Sequence, residues 1–352
     1  NKQVSTKNMK KLLLVFTRCF SLLDAWGTPP LRRLHKVVLL DGTKVELQKL
    51  GDEFLGYFAT TDGIAVAYKP NGSVYYAQVF VNDSQKQIVP TDVLAHDPSM
   101  RSEQEKRYVA LLQAFQQETV QKIRAKSPYK VRREAAVTSN GLGKYKTSGP
   151  GVLKSIGTPV IPVIMVDFPD LKFQTTTTDT LVSRMFNEPG FDDWGVKGVI
   201  MKVYFEDQSK GLFQPTFKVI GKVTMPNGYK SYGYNVSNGA YNLSKLALSL
   251  AEQQGISFTE FKDASGKLPV VCIYHAGQGA HSSFDSNAND YIWAHFRKFT
   301  SVSVQGIPVG SYLISNELAK IYERDASGKL VTTGQKLDGY GVFVHEFGHA
   351  LG

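Results

Sequence analysis

Residues 127–151, SPYKVRREAAVTSNGLGKYKTSGPG, form a stretch too basic, too small in its side chains and too rich in turn-forming residues to sit inside a packed core. A chain of 352 residues interrupted in this way is expected to fold as two units joined by an exposed linker that proteases can reach. The expected boundaries are 28–126 for the first unit and 152–352 for the second, with 1–27 as a leader.

The first unit reads as short strands. Asp41-Gly42, Asp62-Gly63 and Asn71-Gly72 each lie between alternating apolar residues, and such pairs accept the positive φ of tight hairpin turns. A meandering antiparallel sheet over about 34–89 follows. Residues 101–126 lack glycine and proline and place Tyr108, Leu111, Leu112, Phe115 and Val120 near helical spacing, which predicts one helix.

The second unit alternates strands and helices. TPVIPVIMVDFPD (158–170) and KLPVVCIYHAGQGAH (267–281) are short β-branched apolar runs of the kind that fill buried strands, and QPTFKVIGKVTMP (214–226) reads as strand. TDTLVSRMFNEPGF (178–191) and GVKGVIMKVYFEDQSKGLF (195–213) predict helices, with FEDQSKG as a helix end and turn. NGAYNLSKLALSLAEQQGI (238–256) predicts an amphipathic helix with Leu243, Leu246, Ala247, Leu250 and Ala251 on one face and Gly255 as terminator. The fold class expected is α+β or α/β, β-rich at the N-terminus and layered afterwards.

The formal charge of +10 invites a nucleic-acid reading, but the excess is not where a binding face would need it. Residues 1–36 carry 8 basic against 1 acidic side chain and residues 101–154 carry 12 against 4, while 155–352 holds 17 against 18. No nucleic-acid partner is expected. From Met9 the leader runs through two lysines and an apolar stretch to small residues at Ala25 and Gly27, the layout of a secretory signal peptide cleaved after one of them, so the protein is expected to be secreted. No other stretch is long and apolar enough to predict a membrane span. Cys19 and Cys272 lack metal-like spacing, and Cys272 inside LPVVCIY reads as a buried structural thiol.

His345, Glu346 and His349 carry the chemistry. Histidines four apart project from one face of a helix, so both imidazoles can converge on one ion, and the glutamate between them can reach water beside it. This is the H-E-x-x-H arrangement of zinc peptidases, with His345 and His349 as metal ligands and Glu346 as general base. Zinc activates water and polarises the scissile carbonyl, and the glutamate passes a proton to the leaving amine. The apolar lead-in GYGVFV suits a buried helix. Gly348 is expected to permit close packing, and Gly352 to end or turn the helix.

HEFGHALG (345–352), VYFEDQSKGLFQPTFKVIGKVTMP (203–226), IYHAGQGA (273–280) and DYIWAHF (290–296) together resemble the immune inhibitor A-type secreted metallopeptidases, the M6 family. LLDGTKVELQKLGDEFLGYFATTDGIAV (39–66) is similar to the propeptide that precedes their catalytic domain. The resemblance covers about residues 34–352. It implies a zinc endopeptidase made as a zymogen, a β-rich propeptide acting as intramolecular inhibitor, and the N-terminal part of a metzincin-like catalytic domain. It also implies a third ligand, expected to be an aspartate shortly beyond Gly352. On this reading the chain stops within its own zinc site and is inactive as it stands, because two imidazoles alone hold zinc weakly.

His275, His281 and His295 read as structural hydrogen-bonding histidines before they read as ligands. DSNAND (285–290) has the oxygen content of a calcium loop without its spacing, so a solvated turn is preferred to a Ca2+ site. Beside the peptidase acting on proteins or peptides stands a second class of function, a secreted binding or adhesive module that keeps a peptidase scaffold. Maturation is expected at Arg132 or Arg133 in the linker. Changing both to alanine should move or abolish the cut, as N-terminal sequencing of the mature product would show.

Overall fold

A computed structural model describes residues 34–51, 55–82, 85–125, 151–193, 196–197, 201–326 and 330–352. The leader, Cys19, Arg132, Arg133 and the linker before Gly151 lie outside the described residues. Within them the protein is mixed α and β, with two six-stranded sheets and five α-helices.

The first sheet is an antiparallel meander in chain order: β1 (His35–Val38), β2 (Lys44–Leu50), β3 (Tyr57–Thr60), β4 (Ala65–Tyr68), β5 (Val74–Asn82) and β6 (Gln85–Leu94). Its hairpins turn at the three expected dipeptides. Gly42, Gly63 and Gly72 have φ of 80°, 90° and 80°, and each donates its N–H back across the turn to Leu39, Thr60 and Lys69. In β2 the alternation Val45, Leu47, Lys49 faces inward, so a lysine occupies a core position.

Helix α1 (Glu103–Ala125) packs on β5, turned from the face its apolar spacing suggests. Val109, Leu112 and Gln116 are buried, while Leu111 and Phe115 are 74% and 42% exposed. Gln116 earns its burial by hydrogen bonding. Its Oε1 accepts from the Ala65 N–H at 2.9 Å and its Nε2 donates to the Gly63 carbonyl at 2.9 Å, which satisfies backbone groups at a hairpin that no strand reaches.

A polar hub fastens the start of α1 to the sheet. Arg101 forks onto both oxygens of Asp62 at 2.6 and 2.8 Å and donates from Nε to the Tyr76 hydroxyl at 2.9 Å. Tyr76 donates to Glu105 at 2.7 Å, and His96 lies between Glu105 at 3.0 Å and Asp41 at 3.2 Å.

The second sheet has the order β10-β7-β11-β13-β12, from β7 (Val160–Asp167), β10 (Thr216–Thr224), β11 (Val271–Gln278), β12 (His295–Val304) and β13 (Ile307–Arg324). The first four in that order run parallel, β12 closes one edge antiparallel, and β14 (Leu330–Leu337) pairs antiparallel with the distal half of β13. A two-stranded ribbon, β8 (Asp192–Asp193) with β9 (Val196–Lys197), lies apart. Strands β7 and β11 are buried almost end to end because both sheet faces are covered.

One face, including Val163, Met165, Cys272 and Leu313, packs under α2 (Asp179–Asn187) and α3 (Met201–Gln208). The other, including Ile164, Val166, Ile273 and Ile314, packs under α4 (Gly239–Gln253). Thr178 caps α2 by accepting from the Leu181 N–H at 3.1 Å, and Gly255 at φ 77° follows the end of α4 as expected. The helix expected over 195–213 is shorter, since Val196–Lys197 is strand and α3 begins at Met201; Lys210 and Gly211 turn out of it at positive φ. Burial pushes the Cys272 thiol well above its ordinary value, as an inert core thiol requires.

The two sheets share a boundary. Phe284, Ala288 and Tyr322 from the second half join Val37, Leu47 and Val66 in one cluster.

Burial raises the Asp62 carboxyl, but its hydrogen bonds from Arg101 and Thr60 outweigh that and hold it below the ordinary range. The stabilisation is present above the ordinary carboxylate pKa and is lost as pH falls through the lower folded value. Arg101→Met should cost about 2 kcal/mol and flatten this acid limb, readable by urea unfolding between pH 3 and 7.

Candidate metal centre

Helix α5 (Gly341–Leu351) carries His345, Glu346 and His349 and lies on β12 and β13. Its inward stripe is Phe343, Glu346, Phe347 and Ala350, the i, i+3, i+4, i+7 spacing of one helical face. The two phenylalanines stack on each other at 6.2 Å between ring centroids and are enclosed by aromatics from three directions. Phe186 of α2 and Phe217 of β10 lie 4.8 and 5.2 Å from Phe343, while Phe205 of α3 lies 5.1 Å from Phe347. These contacts fix the rotation of α5 about its axis, and with it the direction of every other side chain.

The rotation brings His345 and His349 to the helix flank, half-buried, with ring centroids 5.0 Å apart and planes at 86°. The Nε2 atoms of both rings and the Oε2 of Glu346 are shielded from solvent. Glu346 is fully buried. Burial pushes its carboxyl well above the ordinary range, and a hydrogen bond from the Phe296 main chain opposes that. Phe296 also brings its ring within 6.4 Å of His349, so edge strand β12 meets the motif at both Glu346 and His349.

Two imidazoles on one helical flank beside a buried carboxylate are the donor types that zinc takes, so the residues present fit part of a zinc site. Among the described residues, no group of three His, Cys, Asp or Glu is placed to hold a metal ion. The C-terminal end of α5 is tied by the segment that leads into β7: Gly151 and Leu153 donate their N–H groups to the Leu351 and Ala350 carbonyls at 3.1 and 3.0 Å. A Cβ on Gly151 would stand 2.2 Å from the Leu351 carbonyl carbon, so only glycine allows this approach. At Gly348 the expectation of close packing is corrected, since a Cβ there meets nothing within 4 Å among the described residues.

The remaining histidines sit elsewhere in the structure. His275 is buried with Nδ1 2.8 Å from the Ala276 carbonyl, and burial lowers it to about 4, which keeps it neutral. His281 lies 3.2 Å from Asp338, and His295 lies 2.8 Å from both the Trp293 carbonyl and the Tyr312 hydroxyl. The acids of the 285–290 loop point to lysines: Asp285 pairs with Lys320 and Asp290 with Lys230. Neither Lys49 nor Phe296, the last residue of DYIWAHF, is given a role of its own by the sequence. The inward phase of KVELQKL could have exposed the first; nothing local marks the second.

Phe347→Ala should destabilise the second half by about 3–5 kcal/mol and loosen both histidines, measurable as earlier thermal unfolding and broadened imidazole resonances.

No protein-family model matches the chain. It is 24% identical over 227 residues to Immune inhibitor A of Bacillus thuringiensis subsp. alesti, an alignment covering 54% of this chain and 32% of that protein. The chain thus matches about a third of the length of this curated relative, at a level that supports a distant relationship to it.

Proposed function

We propose that the chain carries the zinc-binding segment of a secreted metalloendopeptidase precursor of the immune inhibitor A type. What carries the reading is one arrangement: His345 and His349 with rings 5.0 Å apart, and Glu346 buried beside them, on a helix that aromatic packing holds against an edge strand. The distant similarity to Immune inhibitor A supports it.

In this reading His345 and His349 would hold zinc, together with one further protein ligand from outside the described residues. Bound zinc supplies a Lewis acid that polarises the scissile carbonyl and lowers the pKa of water. Glu346 takes the proton of the attacking water and delivers it to the leaving amine. Phe296 orients Glu346 through its main chain, and the aromatic cluster keeps both histidines in register. Residues 28–126 serve as propeptide and intramolecular inhibitor, 127–151 as the cleavable linker, 152–352 as catalytic domain, and 1–27 as the export leader. No helix among the described residues is long and apolar enough to cross a membrane.

A binding module on a peptidase scaffold is the second reading. Metal analysis of the longest natural form of the protein separates the two. One zinc per chain is expected, lost in His345→Ala and after chelation. Glu346→Gln should keep zinc while hydrolysis of an unfolded protein substrate falls at least about 100-fold. No stoichiometric zinc, or a Glu346→Gln enzyme as fast as the parent, would overturn the peptidase reading.

A further inference from the structure

Lys49 of the first sheet is buried in the second half of the chain. Its amine donates to the Ala280 carbonyl and, at 3.2 Å, to the Ser283 carbonyl, both in the loop that links β11 to β12. Two aromatic faces flank it: Phe58 of β3, with centroid 5.3 Å away, and Trp293, at 5.2 Å. Gly56 completes the socket, because a Cβ there would stand 2.1 Å from the Trp293 ring. Its N–H donates to the Tyr234 hydroxyl at 2.6 Å, and the Tyr234 ring lies 5.3 Å from Trp293. Three residues after Trp293 comes Phe296, which meets Glu346 and His349. A path therefore runs from the first sheet through contacts to Trp293, along the chain to Phe296, and by contact to the candidate metal centre.

We propose that the first sheet is docked by a latch, the Lys49 amine seated between Ala280, Ser283 and Trp293, and that this latch sets the position of the Trp293–Phe296 segment against Glu346 and His349. Its effect on hydrolysis rests on the metallopeptidase reading; the docking does not.

The latch responds to protons. Burial lowers Lys49 to about 7, with Asp285 opposing the shift. The other groups around the socket are Lys320 and Tyr291, which share the Asp285 carboxylate, Tyr68 of β4, Tyr322, Tyr234, and His281 with its partner Asp338. An amine near 7 when docked and at the ordinary 10.5 when released takes up a proton on release. Docking therefore strengthens about tenfold per pH unit from about 7 upward and is flat below that.

Hydrogen exchange of the full chain over 279–296, corrected for intrinsic rates and read from pH 6 to 9.5, tests this. Opening of the loop should fall about tenfold per unit above pH 7 in the parent and show no such slope in Lys49→Met. Gly56→Ala should raise opening at every pH and deprotect the Phe296 amide together with the loop. An equal slope in Lys49→Met, or a Phe296 amide that stays protected while the loop opens, overturns the proposal. Should Lys49→Met fail to fold, NMR titration of the parent's Lys49 amine decides: a midpoint near 7 supports the latch, one above about 9.5 overturns it. Failure to bind zinc would sink the peptidase reading and leave these results standing.

Discussion

The ring contacts of Phe343 and Phe347 are what the candidate centre depends on. A helix of eleven residues has little stability of its own, so its orientation comes from whatever face it buries. Here that face is two phenylalanines set among Phe186, Phe205, Phe213 and Phe217, drawn from α2, α3, β10 and the turn between them. Close-packed rings tolerate little rotation, so directional order passes from an apolar core to polar side chains that could not supply it themselves. Glu346 shares the buried stripe, which places the carboxylate in a dry setting as a consequence of the same packing.

The parallel sheet beneath has its own polar expense, at the ends of its central strands. Glu317 on β13 is buried and accepts from the Gly277 and Gln174 N–H groups at 3.0 and 2.9 Å, and burial pushes its carboxyl up. Asn316 beside it donates to Asp338 at 2.8 Å. Glu317 thereby satisfies the Gly277 N–H, left bare where β11 breaks register with β13 between His275 and Gln278. This explains how a glycine-rich loop can leave the sheet there and still be buried.

Local signals were legible where local physics decides the outcome. The Asp-Gly and Asn-Gly hairpins, the apolar runs of β7 and β11, the terminator Gly255 and the motif on α5 each rest on a few neighbouring residues. Choices that distant partners make were not legible. The face of α1 turned because Gln116 could satisfy a hairpin some fifty residues away, against the preference of Leu111 and Phe115 for burial. The helix expected over 195–213 gave way at its start to the β8–β9 ribbon, and Lys49 took a core position that its charge argues against. Nothing near residue 296 signals that its main chain meets Glu346, because that contact joins residues fifty positions apart through a sheet edge.

Gly151 and Leu153 donate to the Leu351 and Ala350 carbonyls at the end of α5, so the segment from Gly151 onward belongs to the second half and would stay with it if the chain were cut before Gly151. Before such a cut, the covalent connection makes the meeting of the first sheet with its socket an intramolecular event. After it, the same surfaces meet as separate molecules, and dilution alone favours separation. A cut anywhere between α1 and Gly151 would thus convert an intramolecular equilibrium into a bimolecular one without altering a single contact at the boundary or at the helix end.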